Sequence, residues 1–559
     1  MAAALADCGA VDDGQPAVLG CRLPMETDYR DFWEFPYSES LKSGLLATFI
    51  QARAVLAWFR HLEATGVRAE DVTIVPRSDA GTAIETIGGV CGSAVVGKAR
   101  EVERAVYQVV GSLVPPKEES LAKDVTGTYR PFDAIEKFSI RSLMAGSNSG
   151  HDLVPLVILD DAHCLHPAQF RAVGHWLARR ELRIARWVIT RFDILQPAEA
   201  LAAVAEERSE RKDFPGLSAS RDVEVVMLQS NGPRKAQRIA FRRMARDMAG
   251  RYLQKHPLLG PRQLVILGDL LEEEPATIAP SEVRLLSGRV DAAQRKLKVA
   301  DNRRREFEEG IESFRRGGEV IPEDLGLAML GILMHRYAKR RKDQGTLFEN
   351  DDPEPSRPVV ANAGVYEAAR LHLLHHFDRP FYYGIDALCD ASSENAELFL
   401  QLSAVLVDTL ETQVIRSKRS TLTAAVQHRL LREHAARIID TWSFPCVEQV
   451  RRMVKALAAK CVAVTLQPNG WLTPNAFGIP QAEYDQLGSN NPEVARVLQF
   501  AVAYNALLVV PHYECKQKEW CLLELAGPVN LAHGLTLMRG GFIEGRVRDI
   551  AAMIEEPPA

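Results

Sequence analysis

Leu156-Val157-Ile158-Leu159 runs directly into Asp160-Asp161, and this is where residue types and spacing first point to chemistry. A short, continuous apolar run is what a strand buried on both faces requires. A carboxylate at its end sits at the carboxyl edge of a parallel sheet, where α/β folds bind ligands. Asp160 in that place suits a Mg²⁺ ion bridging nucleotide phosphates, and Asp161 suits polarising an attacking water. The plainer reading has Asp161 capping the next helix and Asp160 merely exposed. A second apolar run, Trp187-Val188-Ile189-Thr190, ends in Thr190 and Arg191. Polar groups there reach a terminal phosphate, or else form an ordinary strand end.

Phosphate chemistry also needs a loop whose backbone N–H groups approach the phosphates, with a lysine to offset their charge. The literal match is Gly92-Ser93-Ala94-Val95-Val96-Gly97-Lys98-Ala99, with Ala99 where a Mg²⁺-binding Ser or Thr belongs. No convincing strand precedes it, since Gly88 and Gly89 interrupt the stretch before Cys91. Either this is a degenerate phosphate loop, or it is a Gly/Ala-rich turn leading into a helix. The alternative places the loop upstream of Met1, with Met1 to Ala6 as the end of the helix that follows it and a start codon assigned too late.

These residues need a scaffold, and the pattern supplies one. Ala17–Leu23 reads as a strand ended by Pro24. Leu45, Phe49, Ala52, Leu56 and Phe59 recur at helical spacing. Val72–Val75 reads as a strand and Glu101–Val110 as a helix. The acidic strand leads to a helix near Pro167–Arg180, the Trp187 strand, a helix near Pro197–Glu207 and a third strand, Val223–Leu228. That alternation predicts a parallel sheet with crossover helices. Further on come an Arg-rich helix from Arg234 to Arg251, a long charged helix from Val283 to Arg315, a flexible linker at 343–361 and a helix from Val365 to His376. Helices around Val426–Ile439, Val447–Cys461 and Pro492–Tyr504 precede two apolar runs, Ala506–Val510 and Trp520–Leu525, that bracket a hairpin turn. Helices followed by a hairpin fit a winged-helix module.

At 559 residues the chain suggests two to four domains. We divide it into an α/β core over 1–255, a helical lid over 256–412 and a winged-helix-like domain over 413–559. A net charge of −5 excludes a general polycation, so any nucleic-acid contact must be a local patch. The nine cysteines form no C-x-x-C pair and read as reduced thiols. His512, Cys515 and Cys521, like His163, Cys164 and His166, lack a completing ligand and read as ordinary residues rather than a metal site. There is neither a basic, apolar leader nor an apolar run of about 20 residues, so we expect a cytoplasmic protein without a membrane span.

Taken together, these motifs resemble the AAA+ P-loop ATPases related to origin-recognition and replication-initiator proteins, in their divergent bacterial branch. Leu156 to His163 corresponds to the Walker B strand and Trp187 to Arg191 to the sensor strand. Gly384 to Leu388, through Ser392 to Leu400, is similar to the lid segment. The resemblance implies a P-loop NTPase-type parallel sheet core, a helical lid, a C-terminal winged helix, and ATP and Mg²⁺ as cofactors. Asp160 would be the Mg²⁺-site aspartate and Asp161 the catalytic acid. The chain departs from the family in lacking an N-terminal Walker A loop. It also carries Asp161 where Glu is frequent, and Ala396-Glu397 where the lid offers an arginine. These departures leave room for a slow switch or an ATPase without turnover.

Between Glu411 and Lys460, ten Lys/Arg stand against four Asp/Glu. Arg416, Lys418 and Arg419 open the last domain, while Arg451, Arg452 and Lys455 share one helix. Such a patch suits DNA phosphates, or is a solvated helix face. The Arg-rich helix suits a neighbouring subunit or a partner protein. Two function classes follow: an ATP-driven, DNA-associated machine, or a regulatory signal-transduction-type NTPase that assembles protein partners. A degenerate, nucleotide-independent interaction module is the fallback.

Overall fold

The computed structural model describes residues 11–12, 15–112, 114–121, 125, 127–140, 151–205, 223–224, 226, 235–314, 321–343, 358–416 and 419–555. The chain is mixed α/β and divides into two compact units, Met1–Gln196 with Glu207–Val226, and Pro197–Glu206 with Met227–Ala559. The expected helix before Ala6 lies outside the described residues, as does nearly all of the 343–361 linker. Most of the Val223–Leu228 strand does too, and its described residues Val223, Glu224 and Val226 carry no strand.

The first unit is built around β1 (Val18–Pro24), α1 (Glu39–Ala64), β2 (Val72–Pro76), α2 (Gly92–Val110), β3 (Ile135–Ile140), β4 (His151–Asp160), α3 (Pro167–Leu177) and β5 (Ala185–Val188). β4 is the organising strand. Its last residues pair in parallel with β1, from Val18 opposite Val154 to Pro24 opposite Asp160. They also pair in parallel with β5, from Leu156 opposite Ala185 to Leu159 opposite Val188. The crossover α3 between β4 and β5 is what a parallel pair demands.

The first residues of β4 behave differently. His151 to Leu153 pair antiparallel with β3, which pairs antiparallel with β2. The sheet is therefore mixed, not the all-parallel sheet the sequence predicted. β3 and β4 are consecutive in the chain and need no crossover helix to pair.

Helix α1 covers one face of this sheet. It starts at Ser38, whose Oγ accepts from the Leu41 amide. Leu45, Phe49, Ala52 and Phe59 point inward, as their spacing predicted. Trp58 is fully buried and donates Nε1–H to the Leu156 carbonyl at 3.1 Å, tying helix to central strand. Leu19, Cys21, Leu23, Val157 and Leu159 share this core. On the opposite face the registered residues Arg22, Ile158 and Trp187 are much more open, and Trp187 is 54% exposed.

The second unit is largely helical: α4 (Pro197–Ala205), α5 (Lys235–Lys255), α6 (Pro280–Leu297), α7 (Asp301–Ser313), α8 (Glu323–Asp343), α9 (Ala363–Phe377), α10 (Gly384–Ala391), α11 (Ala396–Ile415), α12 (Ala424–Thr441) and α13 (Val447–Thr465). The predicted charged helix from Val283 to Arg315 is two helices. Lys298 adopts a left-handed conformation at φ 52° that ends α6.

Helix α11 is long and apolar enough to cross a membrane by length and composition. Its Leu398, Leu402, Leu406, Leu410 and Val414 recur every four residues and are buried in this unit's core, as a packed amphipathic helix requires. No other described helix passes that test.

The chain ends in β6 (Ala476–Pro480), α14 (Gln481–Asp485), α15 (Leu487–Asn490), α16 (Pro492–Ala503), β7 (Leu507–Cys515), β8 (Lys518–Leu525), α17 (Gly527–His533), β9 (Phe542–Glu544) and α18 (Val547–Glu555). The sheet order is β9-β6-β8-β7. The predicted hairpin is present, closed by Lys516 and Gln517 at φ 52° and 59°. Two positive φ values are what a two-residue hairpin turn of matching twist needs.

Candidate functional site at the carboxyl edge of the parallel strands

The parallel trio β1-β4-β5 brings its carboxyl ends to one edge. Met25 donates its N–H to the Asp160 carbonyl at 2.8 Å, Ile189 to Leu159 at 2.8 Å and Ala162 to Ile189 at 2.9 Å. These bonds hold the ends of the three strands level. Asp160 is thus the last residue of the central strand, as the sequence predicted, and Thr190-Arg191 follow the neighbouring one.

The Asp160 carboxylate is not bare. Its Oδ1 accepts the Asp161 N–H at 3.0 Å. Its Oδ2 accepts Arg22 Nε–H at 2.5 Å, and Arg22 Nη2 lies 3.9 Å from Asp161 Oδ2. The hydrogen bond and charge of Asp160 push the Arg22 guanidinium further up in pKa. Sequence reasoning missed Arg22. The signal was a single charge inside the apolar strand Val-Leu-Gly-Cys-Arg-Leu-Pro, two residues before its end.

Asp161 turns the chain with φ 56°, a left-handed conformation unusual for a residue with a side chain. Its side chain caps no helix by hydrogen bond, so the capping alternative is not what the geometry contains. That task falls to His166, whose Nδ1 accepts from the Ala168 N–H at the start of α3.

His163 follows on the same turn. Its Nε2 accepts Arg191 Nε–H at 3.0 Å, and its Nδ1 lies 4.0 Å from Asp161 Oδ1. Burial and the Arg191 charge lower its pKa, so the ring stays neutral. His163 is thus tied to Arg191, while its Nδ1 makes no hydrogen bond and lies near Asp161. Thr190 is exposed, with its hydroxyl donating to the Arg191 carbonyl at 3.3 Å.

The literal phosphate-loop motif is elsewhere in form. Gly92 to Ala99 are the first two turns of α2, and the Val95 N–H already bonds the Cys91 carbonyl at 3.0 Å. Helical N–H groups engaged in this way do not cradle phosphate. Lys98 pairs with Glu101 at 3.3 Å. Gly92 is required for packing, because a Cβ there would meet the Ala69 carbonyl oxygen at 2.4 Å.

The oxygen donors at the edge, Asp160, Asp161 and Thr190, suit a hard Mg²⁺ ion. Among the described residues no group of three or more His, Cys, Asp or Glu is placed to hold a metal by itself. A Mg²⁺ ion at this edge would therefore share its shell with phosphate oxygens of a ligand, its usual mode beside one or two carboxylates. In the second of the two short His/Cys clusters His512 pairs with Glu519 at 2.6 Å, and Cys521 is fully buried.

Some basic residues of the last domain are engaged inside the unit, while Arg416, Arg419, Arg437 and Lys460 are exposed. Arg451 donates to the carbonyls of Ile439, Asp440 and Trp442 at 3.0, 2.9 and 2.8 Å, closing the carboxyl end of α12. Arg452 donates to the carbonyls of Glu448 and Glu555. Lys455 is exposed, and Lys418 lies outside the described residues. The Arg-rich helix α5 is similarly engaged: Arg242 forks onto Asp390 and reaches Asp386, which also binds Arg246. Asn395 caps α11, accepting from the N–H groups of Glu397 and Leu398.

The fold and site together define a mixed α/β protein with an acidic sheet edge. No protein family, characterised protein or solved structure matches the chain.

Proposed function

We propose that the first unit is the nucleotide-binding core of an AAA+-type P-loop ATPase related to the origin-recognition group, acting as a regulatory switch in the cytoplasm. The observation that carries this reading is the level edge of β1, β4 and β5. An aspartate ends the central strand, and polar Thr190-Arg191 lie just beyond the end of its parallel neighbour. Carboxyl edges of parallel strands are where such folds bind ligands.

In this reading Asp160 holds the Mg²⁺ that arrives with ATP, and that ion supplies charge neutralisation across the β- and γ-phosphates. Asp161, held in its turn, orients a water. Neutral His163 accepts from Arg191 and holds it on this turn. The short Asp161 side chain and the absence of an arginine at Ala396-Glu397 fit slow turnover, hence a switch rather than a motor. The residues that would cradle the phosphates are not at Gly92–Lys98.

A protein partner is favoured over DNA. The order helix, strand, three helices, hairpin from α13 to β8 supports a winged-helix reading. Its last helix before the hairpin, α16, is mostly buried and packs against α4, leaving Glu493 and Arg496 as its exposed charges. A helix that reads a DNA groove needs a free basic face.

The test is equilibrium binding of a fluorescent ATP analogue with and without Mg²⁺. Wild-type protein binds more tightly with Mg²⁺, and Asp160→Ala removes that gain, a loss of about tenfold or more. Equal binding by both proteins removes Asp160 from the site, and no binding by wild type overturns the reading. Retention on DNA at low salt would return the DNA-associated machine to first place.

A further inference from the structure

We infer that Arg22 decides which cation the acidic edge accepts: it holds Asp160 until a phosphate draws its guanidinium away. The inference rests on the nucleotide-binding reading and adds its regulation. Arg22 occupies the position beside Asp160 Oδ2 that a metal ion would take, at 2.5 Å, and its Nη2 also faces Asp161. The backbone beneath is fixed, since Pro24 is registered opposite Asp160 and Met25 bonds its carbonyl. Only the Arg22 side chain, 61% exposed, has freedom to leave.

Leaving costs little, because an exposed ion pair is worth about 0–1 kcal/mol. A phosphate offers the planar guanidinium fork a matching partner. When metal and phosphate arrive together, Asp160 exchanges a guanidinium for the metal, and Arg22 exchanges a carboxylate for a phosphate oxyanion. Both charge pairs survive. A metal arriving alone must strand Arg22. A phosphate arriving alone must strand Asp160 beside Asp161. The edge therefore selects metal and phosphate jointly over either alone, and no bond is made or broken.

Mn²⁺ binding followed by electron paramagnetic resonance tests this directly, with inorganic tripolyphosphate as the phosphate probe. Wild type binds free Mn²⁺ poorly. Arg22→Ala binds it about tenfold more tightly, because two adjacent carboxylates lose their internal counterion. Asp160→Asn in the Arg22→Ala background abolishes that gain, and Arg22→Lys, which retains the charge, suppresses it. A purely structural role for Arg22 would weaken binding rather than create it. If Arg22→Ala binds free Mn²⁺ no better than wild type, or if Asp160→Asn leaves the gain intact, the inference is overturned. Mn²⁺–tripolyphosphate shows the opposite order, with wild type binding more tightly than Arg22→Ala, and the reverse result also overturns it. Failure of the wild type to bind an ATP analogue would refute the nucleotide reading alone, because the metal-only gain in Arg22→Ala still reports on Arg22.

Discussion

The two units treat opposite charges in contrasting ways. In the first, the Arg22–Asp160 pair sits at a strand edge with side chains 61% and 19% exposed. In the second, Arg379 and Asp324 pair at 2.7 Å with side chains 4% and 0% exposed. Asp324 also accepts from the N–H groups of Ile278 and Leu325, so its oxygens are saturated. Arg539 forks onto Glu524 in the same unit, again with the carboxylate almost wholly buried. A buried pair with every oxygen committed fixes geometry, and breaking it leaves an uncompensated charge. An exposed pair with one movable arm is free to exchange partners. The same chemistry is architecture in one unit and a candidate switch in the other.

The largest effect that would sharpen this contrast is on stability. Asp324→Ala leaves the Arg379 guanidinium buried without its carboxylate, which costs about 3–5 kcal/mol. Chemical denaturation should show the second unit unfolding at a clearly lower midpoint. An unchanged midpoint would break the distinction between the units.

Acid should act next, through histidines that burial keeps neutral. Desolvation lowers the pKa of His372, His375, His376 and His533, and takes His428 to about 4. The His428 Nδ1 accepts from the N–H groups of Phe381 and Tyr382, which a protonated ring cannot do. Above pH 6.5 these rings are neutral in both folded and unfolded chains, and the full stability is present. As pH falls below 6.5 the unfolded chain gains protons that the folded unit refuses, so stability declines. For His428 the decline continues until about pH 4 and totals on the order of 3 kcal/mol. Melting temperature measured from pH 7 to 4 should fall, and fall less steeply in His428→Gln. Parallel curves for the two proteins would remove His428 from the explanation.

The smallest effect is the mirror of the first. Arg22→Ala should alter folding stability by no more than about 1 kcal/mol, as for other exposed pairs. A loss comparable to that of Asp324→Ala would mean that Arg22–Asp160 is architecture after all.

How much of this was legible depends on the kind of signal. The acidic end of β4 was readable because an unbroken apolar run, with Leu156, Val157 and Leu159 buried, stops where the strand stops. The long core helix α1 and the terminal hairpin were readable from their periods of repetition. The β2–β3 pairing was not, since Ile135-Glu136-Lys137-Phe138-Ser139-Ile140 carries two adjacent charges, and its two buried residues, Ile135 and Phe138, are three apart and break the alternation of a strand. The Gly92–Lys98 match left a degenerate phosphate loop and a Gly/Ala-rich turn into a helix both open; the structure makes it the start of α2, where Val95, Val96, Ala99, Val102 and Val106 form a buried helical stripe. The fate of individual basic side chains was not legible either. Charge counts do not reveal that Arg451 curls back onto the last carbonyls of α12. Arg22 was visible as a residue but not as a partner, because residues 138 positions apart meet only through strand register.

Amide hydrogen exchange, measured with and without a Mg²⁺-loaded, non-hydrolysable ATP analogue, tests the central claim most directly. The account predicts slowed exchange at three separated stretches that meet at one edge: the end of β1 around Arg22 to Met25, the turn from Asp160 to Leu165, and the segment after β5 from Ile189 to Asp193. Binding of the analogue with no protection at these three stretches, or with protection centred on Gly92–Lys98, would contradict it.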